Sequence, residues 1–179
     1  MNAVSLVSQS WLEPRKAMIK AISIGNVSWT ATAALAYTLW PEVVVRGGSA
    51  ERLAFAAELA IAPAAVTMLV VLSCMRLFDT ARAEDPLLGA ESREWKINQR
   101  VLQNTVEQAA MFVPALFAVA VRIDAGRLAL LPIAVSLWCT GRLLFWVGYR
   151  KSVVWRAPGF DWTLNTTLSL MALFVITLF

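Results

Sequence analysis

Histidine is absent from this sequence. Its absence removes the usual zinc and haem ligand sets and the His-based acid/base pairs. No CxxC or carboxylate cluster takes their place, so no metal is expected. Cysteine is nearly as scarce: Cys74 and Cys139 each lie in an apolar stretch, as small buried hydrophobes do, rather than as a disulfide or a reactive thiol. Charge is thin too. Only 16% of the residues are charged, and the net charge of +4 comes from lysines and arginines gathered at the ends of apolar runs. That pattern reads as membrane topology and headgroup contact, and nucleic acid is not an expected partner. What the chain has in plenty is apolar surface, with 59% hydrophobic residues and a mean hydropathy of +0.63. An all-α integral membrane protein with one compact bundle is the expectation, since 179 residues leave no room for a second core beside several spans.

Five apolar stretches follow in order. Residues 1–20 are mixed, with Trp11, Leu12, Pro14, Arg15, Lys16 and Lys20, and read as an interfacial segment. Ala21 to Trp40 is a run of twenty residues without a charge, long enough to cross the hydrocarbon. Its Ala34-Leu35-Ala36 resembles a signal cleavage site, but the leading region is long for a signal and contains Glu13 and Pro14, so a span is the better reading. A turn from Pro41 to Ala50, with Gly47 and Gly48, precedes a second run from Leu59 to Met75. The charged stretch Arg76 to Gln99, broken by Pro86 and Gly89, reads as an exposed loop with helix at both ends. The next two uncharged runs, Gln108 to Val121 and Leu128 to Gly141, have fourteen residues each. They reach spanning length only by including Arg100 to Glu107 in one and Arg142 to Tyr149 in the other. Trp162 to Phe179 completes the set.

If all five cross, one side receives Arg15, Lys16, Lys20, Arg76, Arg82, Arg93, Lys96, Arg100, Arg150, Lys151 and Arg156, and the other Arg46, Arg52, Arg122 and Arg127. This excess of eleven to four places the first side, with the N-terminus, in the cytoplasm and the C-terminus opposite.

The two central helices are the polar ones. Arg100, Asn104 and Glu107 fall at i, i+4 and i+7 and share a face. Glu107 lies about 10 Å along its helix from Arg100, and Arg142 about 12 Å before Arg150, so both enter to a similar depth from one side. They are natural partners, within a protomer or across a subunit contact. Arg142, Phe145 and Tyr149 share a face of the second helix, and Arg156 follows in a connection where Pro158 and Gly159 separate two helices. One buried glutamate needs one cation, yet Arg100, Arg142 and Arg156 converge here, besides Arg76, Arg150 and Lys151. Surplus guanidinium groups at a membrane surface suit an anionic ligand better than a registry salt bridge alone.

The stretch RVLQNTVE, residues 100–107, resembles the arginine-asparagine-glutamate signature on the second helix of the MAPEG family, the membrane-associated proteins in eicosanoid and glutathione metabolism. GRLLFWVGYRKSVVWRAPG, residues 141–159, is similar to that family's third-helix end and following connection. The resemblance covers about Ala56 to the C-terminus. It implies a four-helix transmembrane bundle in residues 55–179, preceded by residues 1–54 as interfacial segment, one additional N-terminal transmembrane helix and loop. It further implies a homotrimer with glutathione, as co-substrate, at each subunit interface near the cytoplasmic side. Arg100, Asn104, Glu107, Arg142 and Tyr149 would hold the tripeptide, and Arg156 matches an arginine that steadies the thiolate in the family's leukotriene-forming synthase. The expected activity is transferase or peroxidase action on a hydrophobic electrophile or lipid hydroperoxide. Where that synthase has tyrosines, this chain has Gln108 and Phe145. The loss of both hydroxyls motivates the alternative, a non-enzymatic lipid-binding scaffold of the same fold. A small transporter using Arg142 and Glu107 as a relay is the remaining alternative.

Overall fold

The computed structural model describes the backbone of residues 3–45, 48–80, 82–152 and 154–179, with side chains from residue 14 onward. Trp11 and Leu12 of the expected interfacial segment, as side chains, and Arg46 and Gly47 of the first turn lie outside the described residues. The described elements are helices: α1 (Ala3–Leu39), α2 (Ser49–Leu59), α3 (Ile61–Ser73), α4 (Arg93–Arg122), α5 (Leu130–Lys151) and α6 (Ala157–Ile176), with three short 3₁₀ turns in the connections.

Helices α2 and α3 are one span interrupted at Ala60. Pro63 has no N–H to offer the carbonyl four residues back, and its ring crowds that turn, so the ladder resets through Ala60. Arg52 of α2 reaches across to the end of α4, donating from Nε to the Ala120 carbonyl and from Nη2 to that of Val121, both at 3.2 Å. A cation there satisfies carbonyls that the helix leaves unpaired and opposes its dipole. At the other end of α4, the Ser92 hydroxyl accepts from the Trp95 N–H at 3.0 Å, and Glu94 sits in the first turn. The helix therefore starts at Arg93, and RVLQNTVE lies about two turns inside it.

Helices α4, α5 and α6 pack on one another, with α2 and α3 against α4 and α5. Phe112 and Trp138 stack at 5.2 Å in the centre, among Leu116, Val119, Leu128 and Leu131. The α5–α6 contact is close because it is made at glycines: a Cβ on Gly159 would fall on the Phe145 backbone, and one on Gly141 would come within 2.9 Å of the Trp162 and Thr163 side chains. Helix α6 begins at Ala157, earlier than the uncharged run predicts. Pro158 sits in its first turn, where a missing N–H costs nothing, and not in the connection.

Among the described residues, four helical segments are long and apolar enough to cross a membrane: Ser49–Ser73, Arg93–Arg122, Ala125–Lys151 and Ala157–Ile176. They form the expected bundle. Helix α1 falls outside this set because Asn26, Ser28 and several threonines dilute its uncharged run. It is nonetheless continuous through the expected boundary at residue 20. Its second half lies along α6 in the same direction, held by bonds from Trp29 Nε1 to Thr166 Oγ1, Trp162 Nε1 to Ser28 Oγ and Asn165 Nδ2 to Asn26 Oδ1 at 2.9, 3.0 and 2.7 Å.

Candidate functional site

The helical period sorts RVLQNTVE into two faces. Val101 and Thr105, with Gln108 directly after the motif, turn into the bundle, where they are buried. Arg100, Gln103, Asn104 and Glu107 line a cavity of about 590 Å³ at the end of the bundle where α4 and α6 begin and α5 ends. Tyr149 from the last turns of α5, Arg156 just before α6 and Asp161 in the first turns of α6 complete its polar lining. Met18, Ile22, Phe145, Phe160 and Leu164 form its apolar side. The volume is ordinary for a small-molecule site, for which roughly 300–1,000 Å³ is typical.

Five of the six candidate site residues therefore meet at one cavity: Arg100, Asn104, Glu107, Tyr149 and Arg156. Arg142 stands behind the wall. It is 1% exposed and donates through Nη1 to Asn104 Oδ1 at 2.7 Å and through Nη2 to Thr163 Oγ1 at 2.5 Å, leaving its Nε unpartnered. Its guanidinium lies 4.5 Å from the centre of the Phe145 ring, a favourable cation–π placement. The expected ion pair with Glu107 is not formed within the protomer; Glu107 instead accepts from Gln103 Nε2 at 3.2 Å. An arginine can only donate, so its bond to Asn104 fixes the amide: Oδ1 faces Arg142, and the two hydrogens of Nδ2 are left to the cavity side.

Arg156 lies over the Tyr149 ring at 4.8 Å, and Tyr149 meets Phe145 edge-on at 5.5 Å. The aromatic face fixes the direction of the guanidinium without consuming its donors. The two positions lacking tyrosine differ in kind. Phe145 is in the cavity wall between Arg142 and Tyr149, whereas Gln108 faces the interior, 4% exposed, with Oε1 unpartnered.

Sequence reasoning missed several lining residues. Gln103 was available from its position one turn after Arg100. Asp161, which lines the cavity at 7% exposure with Oδ2 buried and unpartnered, sits just before the last uncharged run and was hidden by that boundary. Met18 and Ile22 carry no local signal, since only the path of α1 brings them here.

Next to the site the connection from Cys74 to Ser92 is tied down. Arg76 pairs with Glu91 at 2.7 Å, donates to the Ala83 carbonyl and lies 4.2 Å over Trp95. The Asp79 carboxylate accepts from the Ser92 N–H at 2.9 Å. Bonds from Ser92 hold the Asp79 pKa below the usual carboxylate value, and the bond from Arg76 does the same for Glu91. Asn98 links three elements at this end, donating to the Ser73 carbonyl and accepting from Trp146 Nε1 and Arg150.

The family model described as MAPEG family matches residues 28–179. The match takes in the second part of α1 as well as the four-helix bundle. No curated protein matches the chain.

Proposed function

Because the chain belongs to the MAPEG family, whose members are membrane-embedded, use glutathione and are generally trimeric, we propose that it is a glutathione-dependent membrane transferase or peroxidase. The observation that carries this reading is the meeting of Arg100, Asn104, Glu107, Tyr149 and Arg156 at one cavity whose remaining lining is mostly apolar. The donor set fits the tripeptide. Arg100 and Arg156 offer guanidinium forks to its two carboxylates and its sulfur, Glu107 offers a carboxylate to its α-ammonium, and Asn104 Nδ2 offers a donor to a peptide carbonyl. Arg142 acts one step back, by holding Asn104 in that orientation.

Glutathione supplies a thiol nucleophile. Arg156 stabilises negative charge at the sulfur and so favours loss of its proton. Tyr149 keeps that guanidinium in place, and the apolar wall holds a hydrophobic electrophile or lipid hydroperoxide that enters from the membrane. With an electrophile, a carbon–sulfur bond forms as the leaving group departs. With a hydroperoxide, the oxygen–oxygen bond breaks to give the alcohol, and a second glutathione carries the sulfur on to disulfide and water. The protein is read as a homotrimer with its N-terminus and glutathione site cytoplasmic and the C-terminus on the other side, as the lysine and arginine excess supports. Residues 1–54 are read as its extra N-terminal part and residues 55–179 as its four-helix domain.

Calorimetric titration of the solubilised protein with glutathione tests the reading. Saturable binding at up to millimolar glutathione, weakened about tenfold or more by Arg100→Ala and by Glu107→Ala, is expected from loss of a charge-assisted bond. No saturable binding to the wild type would overturn it. Phe145 in the cavity wall favours the second reading, a lipid-binding scaffold, and co-purified lipid without any thiolate absorbance on adding glutathione would select it.

A further inference from the structure

The cavity's apolar side is built in part by a helix outside the four-span bundle. Met18 and Ile22 are one turn apart on α1 and share a face, and both line the cavity that Arg100, Asn104 and Glu107 of α4 also line. The position of α1 is set by three side-chain bonds to α6 and by a glycine notch. Trp29, Ser28 and Asn26 bond to Thr166, Trp162 and Asn165, and a Cβ on Gly25 would meet Asp161 Oδ2 at 2.5 Å and the Pro158 Cα at 2.9 Å. Only glycine lets the two backbones come this close, and this approach brings Met18 and Ile22 to the cavity. A helix located by polar bonds to its neighbour is placed by that neighbour rather than by lipid.

We propose that α1 supplies, from within the same chain, the wall against which the apolar arm of the co-substrate lies, so that Met18 and Ile22 determine which arm fits. The proposal rests on the glutathione reading for the identity of the polar half. The α4 lining is polar, and the lining from α1 and α6 is Met18, Ile22, Phe160 and Leu164 with Asp161 as its one acidic group, so the ligand meets charge mainly at α4 and mainly apolar surface at α1 and α6. That division suits a glutathione adduct carrying an unbranched alkyl or acyl arm, and Met18 can repack around arms of different width.

The test compares glutathione with S-hexylglutathione, titrated against the full-length protein in detergent, and titrates a dansyl-labelled undecanoate in parallel. Burial of a methylene strengthens binding by roughly fourfold. A hexyl arm seated on α1 should therefore bind the wild type at least about tenfold more tightly than glutathione. Met18→Trp and Ile22→Trp, each filling the wall, should abolish that gap while leaving glutathione affinity within about threefold. Ile24→Trp, on the exposed side of the same helix where Ile24 is 54% exposed, should behave as wild type in every titration and in its elution from a sizing column. A hexyl gap that survives both wall variants, or one that Ile24→Trp also removes, overturns the proposal. If the wild type binds no glutathione, the glutathione reading falls by itself. The α1 wall then stands if the dansyl probe binds wild type and is lost from Met18→Trp and Ile22→Trp, and falls if the probe binds all of them alike or none.

Discussion

Arg142 and Arg156 flank the same aromatic pair but differ in what they can do. Arg142 is enclosed, and its two Nη groups donate to Asn104 and Thr163; removing it would take that donor from both in a largely apolar interior. Arg156 is half-buried over Tyr149 with its guanidinium on the cavity, so it can change partners during a reaction without disturbing the fold. This difference makes a kinetic prediction. Arg156→Ala is expected to lower glutathione conjugation or peroxidase turnover by roughly a hundredfold, the scale seen when one electrostatic stabiliser of a reacting centre is removed. Glutathione affinity should fall by no more than about fivefold, because Arg100, Asn104 and Glu107 remain. Turnover and titration on the same preparation separate the two effects, and unchanged turnover would reassign Arg156 to headgroup contact. The side chain on the neighbouring turn was readable in advance only in part. Phe145 was identified as a lost hydroxyl, but its ring's role as the face against Arg142 needed the fold.

Among the elements, the connection between α3 and α4 departs most from its sequence signature. Its charge, Pro86 and Gly89 read as an exposed loop, and much of it is exposed. Yet Arg76–Glu91 and Asp79–Ser92 close it onto the start of α4, and Trp95 donates from Nε1 to the Cys74 carbonyl at 2.9 Å. Because both carboxylates have pKa values lowered in the folded state, their contribution is complete above the ordinary carboxylate range and is lost as pH falls through the lowered values. Protease sensitivity of this segment, followed by mapping cleavage after brief digestion with an acid-stable protease, should therefore stay flat from neutral pH down to about 5 and rise below about 4. Glu91→Gln should already be more sensitive at neutral pH, and equal sensitivity of the wild type at all pH values would refute the linkage. The helices themselves were more legible. The period and length of the apolar runs located α5 at both ends and the far ends of α4 and the α2–α3 span within about two residues, whereas both of the latter start earlier, at Arg93 and Ser49, because their first turns carry charge. The start of α6 was placed too late because proline and glycine were taken as breakers, although proline is suited to a first turn and Gly159 serves close packing.

At the scale of the whole molecule, the site is an outcome of how the helices are arranged, and this decides what could be read from one dimension. The i, i+4, i+7 spacing on α4 and the arginines of α5 and its following connection mark a polar end, since charge in an apolar run is legible without coordinates. Which groups meet was not legible. Arg142 and Glu107 enter at similar depth, but depth leaves rotation about the helix axis open, and rotation turns Arg142 toward Asn104. The contribution of α1 was also out of reach, because Met18 and Ile22 are ordinary apolar residues whose role comes from the polar seam with α6. The same seam bears on orientation. If α1 crosses beside α6 and parallel to it, the cavity end carries Lys16, Lys20, Arg100, Arg150 and Arg156 among others, and the opposite end Arg52, Arg122 and Arg127. An excess of cations is retained on the cytoplasmic face. In a background with Cys74 and Cys139 replaced by alanine, Ser152→Cys should react with a membrane-impermeant maleimide only after cells are opened. Gly126→Cys, with nothing near its Cβ position, should react in intact cells. The reverse pattern would place the proposed glutathione site away from the cytoplasmic pool, and would overturn the proposed orientation while leaving the bundle unchanged.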